Sequence, residues 1–215
     1  MKKHYDIVQI GAHNGYTWND KYITDELKPE HSAIFVEPIK ELFDVMVVNH
    51  NKFRPNNNYI FLNKACSNYN GTLDLYIPNI ELFSRETESK YIQLGVPVWT
   101  DQLVSALPDH VKGHRINLDT KVVNVECVTL DKIVEEYEIG SIDILHVDTE
   151  GHDYEVLMGL NFNNIKPKII VFEHKHIDGT NSPLGDRYNQ IMKHLFDFGY
   201  DKTDMDTEDT HLKLR

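Results

Sequence analysis

The residues most able to do chemistry fall in four short segments of the 215-residue chain. One is Asp148-Thr149-Glu150-Gly151-His152-Asp153, which follows the apolar run Ile142–Val147. A buried strand there would deliver Asp148 and Glu150 to its carboxyl edge, and Gly151 would permit the turn into a helix. Glu173-His174, at the end of another apolar run, adds a second acid and an imidazole to the same edge. Such a cluster could supply a general base, orient a hydroxyl or bind a divalent cation; the spacing assigns no metal ligands. The remaining segments are the glycine turn Gly11-Ala12-His13-Asn14-Gly15 after Ile7–Ile10, and Glu37-Pro38 after Ser32–Val36. Glycines at a strand-to-helix turn let backbone N–H groups approach a ligand where a side chain would block it. A carboxylate ending the next strand can accept hydrogen bonds from both hydroxyls of a ribose.

Two cofactors fit a glycine turn followed by an acidic second strand: a dinucleotide and S-adenosylmethionine. The dinucleotide fingerprint needs glycine in the middle position, so that the pyrophosphate can reach a helix N-terminus. His13 stands there instead, which weakens the dinucleotide reading; a sulfonium ligand makes no such demand.

The elements that must position these residues alternate between β-rich and helix-period runs, the pattern of βαβ units and a parallel sheet. Strands are expected at 7–10, 32–36, 59–65, 142–147 and 168–172, with a hairpin-like strand at 71–77 and a terminal antiparallel pair over 199–215. Ile39, Leu42, Phe43 and Met46 share a helical face, as do Leu130, Ile133, Val134 and Tyr137, with Thr129 as N-cap and Gly140 just past the end. Tyr188, Ile191, Met192 and Leu195 repeat the pattern up to Gly199, and a shorter helix over 153–160 buries Val156, Leu157 and Leu160. A helix after Gly15 has only a partial stripe of Trp18, Tyr22, Ile23 and Leu27. Residues 78–120, with Pro78, Pro97 and Pro108, break the alternation and read as a partly helical lid or substrate wall. Phe83, Tyr91 and Trp99 could stack there on a ring substrate or plug the lid against the sheet.

The length suits one domain, residues 1–215. A net charge of −12 disfavours non-specific binding to nucleic acid or to an anionic membrane. No apolar run approaches the ~20 residues that span a bilayer, and the N-terminus lacks a signal-peptide core, so a soluble, cytoplasmic protein, monomer or homodimer, is expected. Cys66 and Cys127 sit in apolar strand-like runs and read as small core residues.

Taken in order, Gly11-Ala12-His13-Asn14-Gly15, Val36-Glu37-Pro38, Val128-Thr129-Leu130-Asp131 and the run Val147–Leu157 resemble the FkbM-type methyltransferases over roughly residues 6–175. The resemblance implies a class I methyltransferase fold: a doubly wound, mostly parallel, seven-stranded Rossmann-like α/β sheet with helices on both faces. It also implies S-adenosylmethionine as donor and commonly O-methylation of a sugar or natural-product hydroxyl. By matching position, the turn from Gly11 to Gly15 (with Ala12, His13 and Asn14) would lie along the donor and Glu37 would hold its ribose. Ala65, Cys66 and Ser67 would lie near the adenine, and Asp148 and Glu150 would face donor and acceptor. The family usually has an acid where Gln9 stands; Gln9 can hydrogen-bond the donor's amino-acid end without a charge–charge contribution. A base helps an unactivated hydroxyl attack, and His152 and His174, oriented by Asp148 or Glu173, are the candidates. The alternatives are a peptide or protein N-methyltransferase, an NAD(P)-dependent oxidoreductase, and a non-catalytic protein that keeps the fold for binding.

Overall fold

A computed structural model describes residues 2–15, 27–56, 58–80 and 95–215. In chain order the elements are β1 (Lys3–Ile10), β2 (Ala33–Val36), α1 (Lys40–Phe53), β3 (Tyr59–Leu62), β4 (Ala65–Cys66) and β5 (Gly71–Pro78). A 3-10 turn (Val98–Gln102), α2 (His110–Gly113), β6 (Thr120–Val128), α3 (Leu130–Glu136), β7 (Ile139–Val147) and α4 (Asp153–Met158) follow. The chain closes with β8 (Ile169–Glu173), α5 (Asp186–Asp197), β9 (Tyr200–Met205) and β10 (Asp209–Leu214).

Seven strands form one sheet in the order β3-β2-β1-β7-β8-β10-β9. The first five are parallel, and β10 runs antiparallel between β8 and β9. The chain winds outward from β1 through β2 to β3, then resumes on the other side of β1 with β7 and β8. The order therefore reverses between β1 and β7, and their carboxyl ends flank the crevice where ligands bind in such sheets.

The central strands are apolar on both faces, as strands covered by helices on two sides must be. Alternate residues divide between two cores. Ile7, Ala33 and Phe35 pack with Met46 of α1. Val8, Ile10, Ile34, Val36, Leu145 and Val147 pack with Leu130, Ile133, Val156, Leu157, Ile191 and Leu195 of the helices on the other face. The expected stripes are the buried ones, and Thr129 caps α3 by accepting the Lys132 amide at 3.1 Å. Gly199, at φ +98°, ends α5 as expected. Cys66 and Cys127 are buried free thiols.

Several expectations need correction. Residues 59–65 are not one strand: β3 stops at Leu62, and Asn63 turns aside to donate its amide to the carbonyls of Glu37 and Pro38, both at 2.9 Å. Ala65 and Cys66 then pair with Cys127 and Val128 in a second sheet of order β4-β6-β5. The strand at 71–77 has its partner in β6, 40-odd residues on, rather than in a local hairpin. Gly140 lies inside β7; Glu138, at φ +55°, makes the turn after α3. Most of the helix expected after Gly15 (Trp18, Tyr22, Ile23), together with Phe83 and Tyr91, lies outside the described residues. The described part of 78–120 is held down by Leu103, Val111 and Ile116, with Trp99 packed on that small core. Ser105 bridges to Tyr76 of β5. Among the described residues, no helix is long and apolar enough to cross a membrane.

Candidate active site

The glycine turn is shaped by the strand ends on either side of it. As β1 runs out, the amides of Gly11 and Ala12 both donate to the Val36 carbonyl at 3.0 Å, and the Asp148 amide donates to Ile10 at 2.9 Å. Gly11 sits at φ +80°, and a Cβ on it would stand 1.7 Å from the Asp148 carbonyl oxygen. Backbones crossing that closely leave room only for glycine. Gly15, at φ +67°, is needed for another reason: a Cβ there would meet the His50 ring at 2.7 Å and Met46 at 2.9 Å. The second glycine thus seats the turn on α1.

Glu37 ties the turn to the second strand. Its Oε2 accepts the His13 amide at 2.9 Å and its Oε1 accepts the Ile39 amide at 2.8 Å. The side chain is 4 % exposed. Burial pushes its carboxyl up to about 8, against the opposing pull of the two amide donors. His13 takes φ +49°, and burial lowers its imidazole to about 4.

A cleft of about 700 Å³, open to solvent, lies across this crevice. Of the residues expected at the donor site, Gly11, His13, Glu37, Ala65, Cys66, Asp148 and Glu150 line it. Leu73, Leu75, Gln102 and Val104 close it from the second sheet and the 78–120 segment, and Lys64 adds a cation at its rim. Gln9, Ala12, Asn14, Gly15 and Ser67 are buried and do not line it. Gln9 is 3 % exposed, paired in register with His146 of β7.

The two histidines expected near the acceptor are separated. His152 lines the cleft; its Nε2 lies 3.0 Å from Ser67 Oγ, and its Nδ1 lies 3.5 Å from Glu155, which is also paired with Arg187. Burial lowers its imidazole below the usual histidine range, partly opposed by Glu155. His174 instead faces β10, with Nδ1 3.0 Å from Thr210 Oγ1 and its ring against Tyr188. Glu173, its neighbour, is buried on the side of Glu150 and Asp153. Burial, then repulsion from Glu150, Asp148 and Asp153, raises its carboxyl well above the usual range.

Glu150 draws in residues that the sequence reading did not single out. It sits at φ +52°, and the Ser105 hydroxyl donates to its carbonyl at 2.6 Å. Its Oε2 lies 2.8 Å from His110 Nε2 and 3.7 Å from His176 Nε2. The rings of His110, His114 and His176 stand in mutual contact, with centroids 4.8 to 4.9 Å apart. Gly151, at φ +98°, leaves room for the His176 carbonyl 2.9 Å from where its Cβ would be. The spacing of His110 and His114, one helical turn apart, and the doublet His174-Lys175-His176 were the available signals.

A switch-point cleft with a glycine turn on one wall and a strand-end carboxylate beside it defines the class: a doubly wound sheet of the class I methyltransferase type. Residues 9–202 match the model of the methyltransferase FkbM domain, and the chain belongs to that family. The solved methyltransferase FkbM from Methylobacillus flagellatus KT superposes with a TM-score of 0.53 at 10% identity, covering 100% of this chain. This chain spans only 45% of the length of that protein. An O-methyltransferase from Bacillus cereus, solved with S-adenosylhomocysteine, gives 0.48 at 10% identity over 98% of this chain and 74% of its own. Aeropyrum pernix fibrillarin, solved with S-adenosyl-L-methionine, gives 0.42 at 12% identity over 98% and 67%. No curated protein matches the chain.

Proposed function

We propose that the protein is an S-adenosylmethionine-dependent methyltransferase that methylates a hydroxyl of a sugar or other small molecule. The observation that carries this reading is the approach of Gly11 to the Asp148 carbonyl beside the Glu37 carboxylate, all on one cleft at the switch point. That cradle presents a strand-end carboxylate beside a glycine turn, as a ribose would require, and it lacks the middle glycine on which a pyrophosphate would rest. When bound, the donor supplies an electrophilic sulfonium methyl.

The chain's own residues would then hold and orient. Glu37 keeps lone pairs beyond the two that take the His13 and Ile39 amides, and these accept the ribose hydroxyls. Ala65 and Cys66 offer an apolar wall to the base, and Gln9, with Ala12, Asn14 and Gly15, supports the turn from behind. Asp148 and Glu150 close the acceptor side. His152 is the base: it lines the cleft and its depressed pKa leaves it unprotonated at neutral pH. His174, engaged with Thr210, positions the end of β8 together with Glu173.

The direct test is turnover. Purified protein with S-adenosylmethionine and a panel of sugars, small alcohols, phenols and basic peptides should yield methylated hydroxyl products and S-adenosylhomocysteine, read by mass spectrometry. Methylation confined to peptide amines would replace the hydroxyl reading, and no S-adenosylhomocysteine with any acceptor class would count against catalysis.

A further inference from the structure

Glu150 and the histidines around it converge from three separate parts of the chain. His110 and His114 come from α2 and its end, Glu150 from the turn after β7, and His176 from the loop after β8. The His114 amide donates to the His110 carbonyl at 3.2 Å, so the two side chains stack on one side of a single helical turn. One ligand-type atom from each of the four residues lies within 4.8 Å of every other. An ion with Zn–N bonds of about 2.0–2.1 Å needs its ligands about 3.3–3.5 Å apart, which small side-chain shifts would reach.

The hydrogen bonds sort these four into ligands and support. Thr180 Oγ1 lies 2.9 Å from His110 Nδ1, and Nε2 faces Glu150 Oε2 2.8 Å away; with the proton on Nδ1 and given to Thr180, Nε2 is free to ligate an ion. A ligating histidine is usually fixed through its other nitrogen in this way. His114 Nε2 is a buried nitrogen without a hydrogen-bond partner among the described residues, an arrangement that asks for a missing partner. His176 is different. Its Nδ1 accepts the Asn181 amide at 2.9 Å, so its Nε2 carries the proton and faces the carboxylates of Glu150 and Glu173. A purely hydrogen-bonded network would satisfy His110 and His176 and leave His114 stranded.

We propose that His110, His114 and Glu150 form a binding site for a divalent transition-metal ion of the zinc class, with His176 orienting the carboxylate. Two imidazoles and one carboxylate leave a fourth position for an oxygen ligand, water or an alcohol. Because Glu150 also lines the cleft, the ion would stand in its wall. Its relevance to an acceptor hydroxyl rests on the methyltransferase reading; the existence of the site does not.

The test uses full-length protein, purified without a histidine tag and stripped with a chelator, titrated with Zn²⁺ and separately with Co²⁺. One equivalent should bind, the Co²⁺ form should show the visible absorption of a low-coordinate site, and the melting temperature should rise. His110→Gln and His114→Gln should weaken Zn²⁺ binding by at least about 100-fold, while His194→Gln should not. S-adenosylhomocysteine titrated into the same samples separates the two claims. Donor binding without stoichiometric metal overturns the metal site alone, as does metal binding unmoved in His114→Gln. Metal binding without donor binding overturns the donor reading alone. Should either variant fail to fold, the wild-type stoichiometry and Co²⁺ spectrum still decide.

Discussion

At the glycine end of the cleft, Gly11, His13 and Glu37 come from two consecutive strand ends and are joined through backbone amides and carbonyls. At the histidine end, Glu150 meets His110 and His176 through side chains, and the participants come from three distant segments. The first end is rigid because strand pairing fixes its backbone, and its chemistry is limited to cradling a ligand. The second can be changed one side chain at a time. The difference makes unequal demands on substitution.

Gly11→Ala is the most damaging change. With its Cβ 1.7 Å from the Asp148 carbonyl at a left-handed φ, one of the two crossing backbones must move. A loss of about 3 kcal/mol or more in urea-unfolding stability is expected, together with loss of donor binding. A Gly11→Ala protein as stable as wild type would mean that the strand ends do not cross so closely.

Next comes His152→Gln, which removes the proposed base. Turnover should fall about 10²–10⁴-fold with donor affinity changed little. In wild type the rate should rise with pH through an ionisation below 6.5, the ordinary histidine value, because a lowered pKa keeps the base unprotonated to lower pH. A pH–rate profile flat across that region would remove His152 from the role.

A smaller effect distinguishes Glu37. Its folded-state carboxyl is raised to about 8 from 4.5, so between these values the folded chain binds more protons than the unfolded one. Its contribution to stability therefore declines as pH rises from 4.5 to 8. Glu37→Gln should flatten that part of the melting-temperature profile, and an unchanged slope would show that the carboxyl is not held protonated. The smallest effect is expected at Thr129, remote from both ends. Thr129→Ala removes the α3 cap and should cost about 1 kcal/mol without altering binding at either end; a change in donor affinity would show that the comparison between ends is too local.

The unequal construction also explains what could be read from the sequence. The glycine turn and Glu37 carry their signal in consecutive residues, and buried parallel strands announce themselves as apolar runs, so the central sheet and the turn beside Glu37 were legible. Thr129 was legible as a cap for the same reason: its bond closes over three residues. The second sheet was not, because β5 and β6 pair across a long insertion that no periodicity spans. Nor was the break after Leu62, which depends on Asn63 reaching back to Glu37 and Pro38. The histidine cluster was hidden by its assembly: His110 and His114 lie in a segment with no amphipathic stripe, and only tertiary packing brings them to Glu150. Equally, adjacency at Glu173-His174 did not mean a shared site, since successive residues at a strand end face opposite sides.

The proposed function requires the glycine end to bind the nucleoside of a methyl donor. Calorimetric titration with S-adenosylhomocysteine, alongside NAD and NADP, tests it most directly. Micromolar binding of S-adenosylhomocysteine alone is expected, weakened at least about tenfold in Glu37→Ala. Silence from S-adenosylhomocysteine in a folded wild-type protein, or tighter binding of NAD or NADP, would contradict it.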